Sequence, residues 1–115
     1  MRVLQSQVHE VPLLRVVGDV DHGTAPLLRE SIDAALASGV SCLLLDLESC
    51  PYLDSGGVSV LLDTLRRVKP QGWLGVIAAN HHVSRILTLV GFAIDPSFRT
   101  FSNLNEAQTA LEAAQ

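Results

Sequence analysis

Apolar positions run along this chain in two periods, and each change of period marks an element. Arg2 to Val8 is weakly patterned and predicts an edge strand, His9-Glu10 a turn, and Val11 to Gly18 (V-P-L-L-R-V-V-G) a second strand, the pair forming a hairpin. Pro12 fits only near the start of its strand or on an edge, because it has no N–H to give to a ladder. After the polar stretch Asp19-Val20-Asp21-His22-Gly23, Thr24-Ala25-Pro26 opens a helix. Threonine is a favoured N-cap, and a first-turn proline gives up only an N–H that would have been orphaned. Leu28, Ile32, Ala35 and Leu36 share one face, Arg29 and Asp33 face each other at i,i+4, and Gly39 supplies the stop after about Ser38.

Val40 to Leu47 is almost continuously apolar, the pattern of a strand covered on both faces and entered by a parallel crossover; Asp46 is the exception near its end. From Ser55 the period becomes helical, with Val58, Leu61, Leu62, Leu65 and Val68 on one stripe. Arg66, Arg67 and Lys69 crowd the last turn, where the helix dipole favours cations, and Pro70 ends it. Trp73 to Ala79 predicts a strand. Asn80 then caps a short helix with Val83, Ile86, Leu87 and Val90 pointing inward and Gly91 at its end. Phe98 to Phe101 predicts a short last strand, and the capping-box spacing of Asn103 and Glu106 a final helix carrying Leu104, Ala107 and Leu111. The order β-β-α-β-α-β-α-β-α predicts an α/β fold, one domain over residues 1–115 with a small mixed sheet of about 4 to 5 strands and about 4 helices.

Composition narrows the function classes. The chain has 115 residues, 48% of them hydrophobic, enough to bury a core without staples. Its formal charge is −4 and its 8 Lys and Arg are scattered, which excludes the basic face of a nucleic-acid binder. No apolar run reaches the roughly 18 residues of a membrane span, and Gln5, Gln7, His9 and Glu10 break any signal-peptide core, so a cytoplasmic protein with no membrane partner is expected. Cys42 and Cys50 form no C-x-x-C; Cys42 is expected as a buried small hydrophobe and Cys50 in a loop before Pro51.

The candidate chemistry gathers at Leu53-Asp54-Ser55-Gly56-Gly57, between the apolar strand and the helical stripe. Capping alone accounts for Asp54 and Ser55 at a helix start. The glycines call for more, since each costs about 1 kcal/mol relative to alanine inside a helix. Small residues there would leave the hydroxyl and first-turn N–H groups open to a partner or a phosphate. An elbow nucleophile requires a glycine where this chain has Leu53, and none of His9, His22, His81 and His82 has the context of a catalytic base. His81-His82 reads as a pair of first-turn surface residues, without metal-ligand spacing. A receiver-like phosphoacceptor would use Asp46 with Asp19 or Asp21 and Mg²⁺, but Lys69-Pro70 stands before the Trp73 strand instead of after a late one. Asp46 is expected as an acceptor that fixes the loop carrying Asp54 and Ser55. The sequence calls for no catalytic residues, no metal and no cofactor.

Taken in order, Gly18-Asp19-Val20-Asp21, Leu43 to Leu47, Leu53-Asp54-Ser55-Gly56-Gly57-Val58, Gly72-Trp73-Leu74, Val83 to Gly91 and Glu106-Ala107 resemble the STAS domain of the anti-sigma factor antagonist family, over about Val11 to Ala113. The resemblance implies a non-enzymatic regulator whose unphosphorylated form binds an anti-sigma factor, a serine kinase of the GHKL type, and so releases a sigma factor. It also implies that Ser55 is the phosphorylated residue and that Asp21 lies near the same site. Asp21, Thr24, Asp54, Ser55, Gly56, Gly57, Ser59, Asp63 and Arg66 are the expected partner-binding residues. Gly56 replaces the family's second serine, making Ser55 the sole acceptor of the loop, and Ser59 stands where the family usually has glycine. A STAS module of a larger signalling assembly, with the serine serving as a cap, is the other reading.

Overall fold

The structure, a computed structural model, describes residues 1–113. Strand β1 (Arg2–Val8) turns back into β2 (Val11–Val17) in antiparallel register from Arg2 opposite Val17 to Val8 opposite Val11. The two-residue turn takes His9 and Glu10 to φ of 47° and 70°, the left-handed geometry that matches strand twist in tight hairpins. Pro12 is the second residue of β2, and parallel pairing with the next strand begins only at Leu13, so its missing N–H breaks no ladder on that side.

The chain then alternates: α1 (Ala25–Leu36), β3 (Cys42–Asp46), α2 (Ser55–Val68), β4 (Trp73–Ile77), α3 (His81–Leu89), a 3₁₀ turn (Phe92–Ile94), β5 (Phe98–Phe101) and α4 (Leu104–Ala113). The strands lie in sequence order, with β2 to β5 all parallel. Crossovers of one hand between consecutive parallel strands place their helices on one face of the sheet. Leu14, Val16, Leu43, Leu45, Leu74 and Val76 accordingly form the main core with Leu28, Ile32, Leu61, Leu65, Val83 and Leu87. The alternate strand residues Leu13, Leu44 and Ile77 meet Ala107 and Leu111 of α4 on the other face. Leu43, Leu44 and Leu45 are fully buried, as a strand covered on both sides requires, each burial stabilising by about 1.5–3 kcal/mol.

Several expectations shift. The strand predicted over Val40 to Leu47 is shorter at both ends, and β4 stops at Ile77 because Ala78 turns to φ 57°. Thr24 holds the N-cap position of α1 without a side-chain cap bond; Asp21 takes its backbone N–H instead. Arg29 and Asp33 do not pair. With α1 and α2 side by side, Arg29 bonds Asp63 at 3.0 Å and Arg67 bonds Asp33 at 2.6 Å, exposed links worth about 0–1 kcal/mol each. The core stripe of α2 is Gly57, Val60, Leu61, Thr64, Leu65 and Val68, so Val58 and Leu62 fall on its flank. Ile86 is half-buried and Val90 is 50% exposed, both turned from the core that Val83 and Leu87 enter. Cys42 is half-buried, whereas Cys50 is the buried thiol, its pKa pushed up by burial.

Candidate functional site around Ser55

Because β2 and β3 are parallel neighbours, the loops that follow them emerge side by side. The two loops are stitched together. Val20 N–H donates to Tyr52 O at 3.0 Å, Asp54 N–H donates to Val20 O at 3.1 Å, and Val20 and Leu53 form an isolated parallel bridge. Val20 and Leu53 are both buried, so this joint is part of the core.

Asp54 is the N-cap of α2. Its Oδ1 accepts from Gly56 N–H at 2.7 Å and Gly57 N–H at 3.2 Å, and its Oδ2 accepts from His22 N–H at 3.2 Å. One carboxylate therefore closes the helix end and ties it to the preceding loop. Ser55 is the first helical residue and is exposed. Its Oγ lies 3.1 Å from His22 Nε2, across 33 residues of chain.

The glycines have a steric origin. A Cβ on Gly56 would stand 2.9 Å from His22 Nδ1 and 3.1 Å from its Cα; one on Gly57 would stand 3.0–3.1 Å from Leu53 Cδ2, Val20 Cγ1 and Val20 O. They admit the Val20–His22 loop onto the first turn, and both are buried. The expectation that they leave first-turn N–H groups open is corrected, since Asp54 already holds both of those donors.

Asp21 closes a turn of its own. Its Oδ1 accepts from Thr24 N–H at 2.9 Å and is 3.1 Å from the Thr24 hydroxyl, while Thr24 Oγ1 accepts from Asp21 N–H at 3.0 Å. The Thr24 N–H, followed by its hydroxyl, holds the Asp21 carboxyl below the usual range. The side chain that bonds Ser55 from this loop is that of His22. Sequence reasoning set His22 aside for lack of a local motif; its position beside Asp21, in the loop after a strand adjacent to β3, was the available signal.

Ser59, Asp63 and Arg66 are exposed on α2, with Ser55, Ser59 and Asp63 in an i, i+4, i+8 row. Asp63 is held by Arg29 at 3.0 Å and by Arg66 at 3.9 Å. Beside this row a groove of about 710 Å³ runs between α2 and α3, its apolar walls Val58, Leu62, Ile86 and Val90, with Asp54, Ser55 and Ser59 at its lip. Tyr52 and His82 stack at 5.8 Å in the same groove, and Asn80 bonds Pro51 O at 3.1 Å, joining the start of α3 to the serine loop.

This geometry does not make a nucleophile triad. A relay needs a carboxylate on Nδ1 of the histidine that faces the serine. Here His22 Nδ1 lies against Gly56, and Asp54 Oδ2 is 4.0 Å from Nε2, the nitrogen already turned to Ser55. Asp46, 1% exposed, accepts from Glu48 N–H at 3.0 Å and pairs with Arg15 at 3.4 Å. It anchors the start of the serine loop, with its carboxylate occupied by Glu48 N–H and Arg15. Among the described residues no group of three or more His, Cys, Asp or Glu side chains converges for a metal ion, and no helix is long and apolar enough to cross a membrane.

The STAS domain family model matches residues 4–107. The anti-sigma-F factor antagonist RsfB of Mycobacterium tuberculosis is 30% identical over 105 residues, covering 91% of this chain and 84% of that protein. An anti-sigma factor antagonist from Mycobacterium paratuberculosis superposes with a TM-score of 0.83 at 29% identity, over 96% of this chain and 93% of that one. A putative anti-sigma factor antagonist from Thermotoga maritima has the same fold, with a TM-score of 0.84 at 20% identity over 96% and 94% of the two chains. With its mixed sheet, its stitched serine loop and these relatives, the chain belongs to the STAS domain family, among the anti-sigma factor antagonists.

Proposed function

We propose that this chain is a non-enzymatic cytoplasmic regulator whose unphosphorylated Ser55 face binds an anti-sigma factor that is a GHKL-type serine kinase, releasing a sigma factor. Phosphorylation of Ser55 ends the binding. The observation that carries the reading is the exposed Ser55 hydroxyl at the lip of an apolar groove, on a turn held by three hydrogen bonds to Asp54. A partner seated on Val58, Leu62, Ile86 and Val90 covers the serine, so one modification reaches the whole interface. The Asp21–Thr24 loop, Gly56, Gly57 and the outward row of Ser59, Asp63 and Arg66 complete the surface.

The switch is electrostatic. A phosphate adds about −1.5 to −2 charges next to Asp54, with Asp21 in the loop laid over the same helix start. A partner surface matched to a neutral hydroxyl then meets like charge and unpaired desolvation, a penalty of a few kcal/mol or about a hundredfold in affinity. Nothing in this requires refolding, because the loop is pinned at both ends. The receiver-like alternative loses its support where Asp46 pairs with Arg15.

Incubation with ATP and the kinase retained from a native-host extract, followed by mass spectrometry, tests the reading. An acid-stable phosphoserine at residue 55 is the expected product; an alkali-labile acyl phosphate on Asp46, or no modification of Ser55, would sink it.

A further inference from the structure

Ser55 stands beside a carboxylate that caps its own helix. Asp54 is beside it, Asp21 and Asp19 belong to the loop laid over the first turn of α2, and no arginine or lysine lines the adjoining groove. Of the cations on the nearby helices, Arg29 and Arg66 pair with Asp63 and Arg67 with Asp33, while Arg85 of α3 is exposed to solvent and does not line the groove. The N–H groups of Gly56 and Gly57, which would ordinarily greet an anion at a helix start, donate to Asp54 Oδ1. The group in hydrogen-bond reach of Oγ that can carry positive charge is the imidazole of His22, 3.1 Å away through Nε2. Its ring is placed by its own backbone, whose N–H is bonded to Asp54 Oδ2, and by Gly56, which leaves room for it. The second imidazole facing the site, His82, stacks on Tyr52 across the groove.

We propose that the imidazolium of His22 holds the phosphate of phosphorylated Ser55, so that the charge of the modified face depends on pH. This rests on the reading of Ser55 as the modified residue. Transfer of a γ-phosphoryl group from a nucleoside triphosphate forms the Oγ–P bond, breaks the bond to the bridging oxygen, and releases the nucleoside diphosphate and the hydroxyl proton. The neighbouring ring can keep that proton as the phosphate dianion forms. The pair then favours the dianion, drawing the second ionisation of the phosphate below its ordinary value of about 6. The off state weakens under acid conditions, where the phosphate itself takes up a proton and sheds charge.

The test uses the full chain with phosphoserine installed at position 55 during translation, and follows the phosphate by ³¹P NMR against pH. The titration midpoint of the wild-type sequence is expected about half a pH unit or more below that of His22→Gln, a gap kept modest because the ring is exposed to solvent. His22→Lys restores the low midpoint, since a fixed cation replaces the imidazolium, and His82→Gln leaves it unchanged. Coincident curves for wild type and His22→Gln would overturn the proposal, as would a shift produced by His82→Gln alone. Circular dichroism of each variant confirms that the fold is intact, as expected for a side chain 76% exposed. The result is independent of the reading beneath it: absence of phosphate on Ser55 in protein from the native host would remove that reading and leave the titration standing.

Discussion

The starts of α1 and α2 use the same residue types to opposite ends. Before α1, Asp21 and Thr24 bond each other through backbone and side chain, and the turn is closed upon itself. Before α2, Asp54 spends its carboxylate on two glycine N–H groups and on His22 N–H from another loop, leaving the Ser55 hydroxyl outward against the His22 ring. The first turn keeps both of its polar side chains bonded to each other. The second is structure in its aspartate and an addressable group in its serine, and the division is possible because a neighbouring strand supplies the loop that braces it.

The largest expected effect comes from breaking that brace. Gly57→Val forces a side chain to within about 3 Å of Val20 O and Leu53, and should cost about 2–3 kcal/mol in urea unfolding. Asp54→Ala removes three charge-assisted bonds at once and should cost about 1–2 kcal/mol by the same measurement. Thr24→Ala, in the closed turn, should cost about 1 kcal/mol or less. It should also let the Asp21 carboxyl titrate nearer its ordinary value, which NMR can follow. Asp21 is depressed in the folded protein, so its contribution is present above the ordinary carboxylate range and is lost as pH falls through its folded value. Ser55→Ala should be the smallest, within about 0.5 kcal/mol, because the hydroxyl is exposed. A large loss there would make Ser55 a structural cap and erase the contrast between the two turns.

The hairpin, the buried strand at Leu43–Leu45, the glycine and proline helix ends and the serine turn were legible because period, capping and turn chemistry are local. Three features were not. The apolar stripe Val58-Leu62 and its counterpart Ile86-Val90 read as core, since helical period alone cannot separate a side chain facing the sheet from one facing a groove between helices. The glycines read as an opening, where packing against Val20 and His22 makes them a joint. His22 carried no motif because its partner lies 33 residues away; only the adjacency of β2 and β3 brings the loops together. What pairs locally can be read from the chain, and what meets across parallel strands needs the sheet order.

The central claim is that the state of one hydroxyl decides partner binding. Titration calorimetry of the unmodified and the Ser55-phosphorylated chain against the kinase-type anti-sigma factor from the native host measures it directly. The account predicts that the phosphorylated form binds about a hundredfold more weakly with its fold unchanged; equal affinities for the two forms would contradict it.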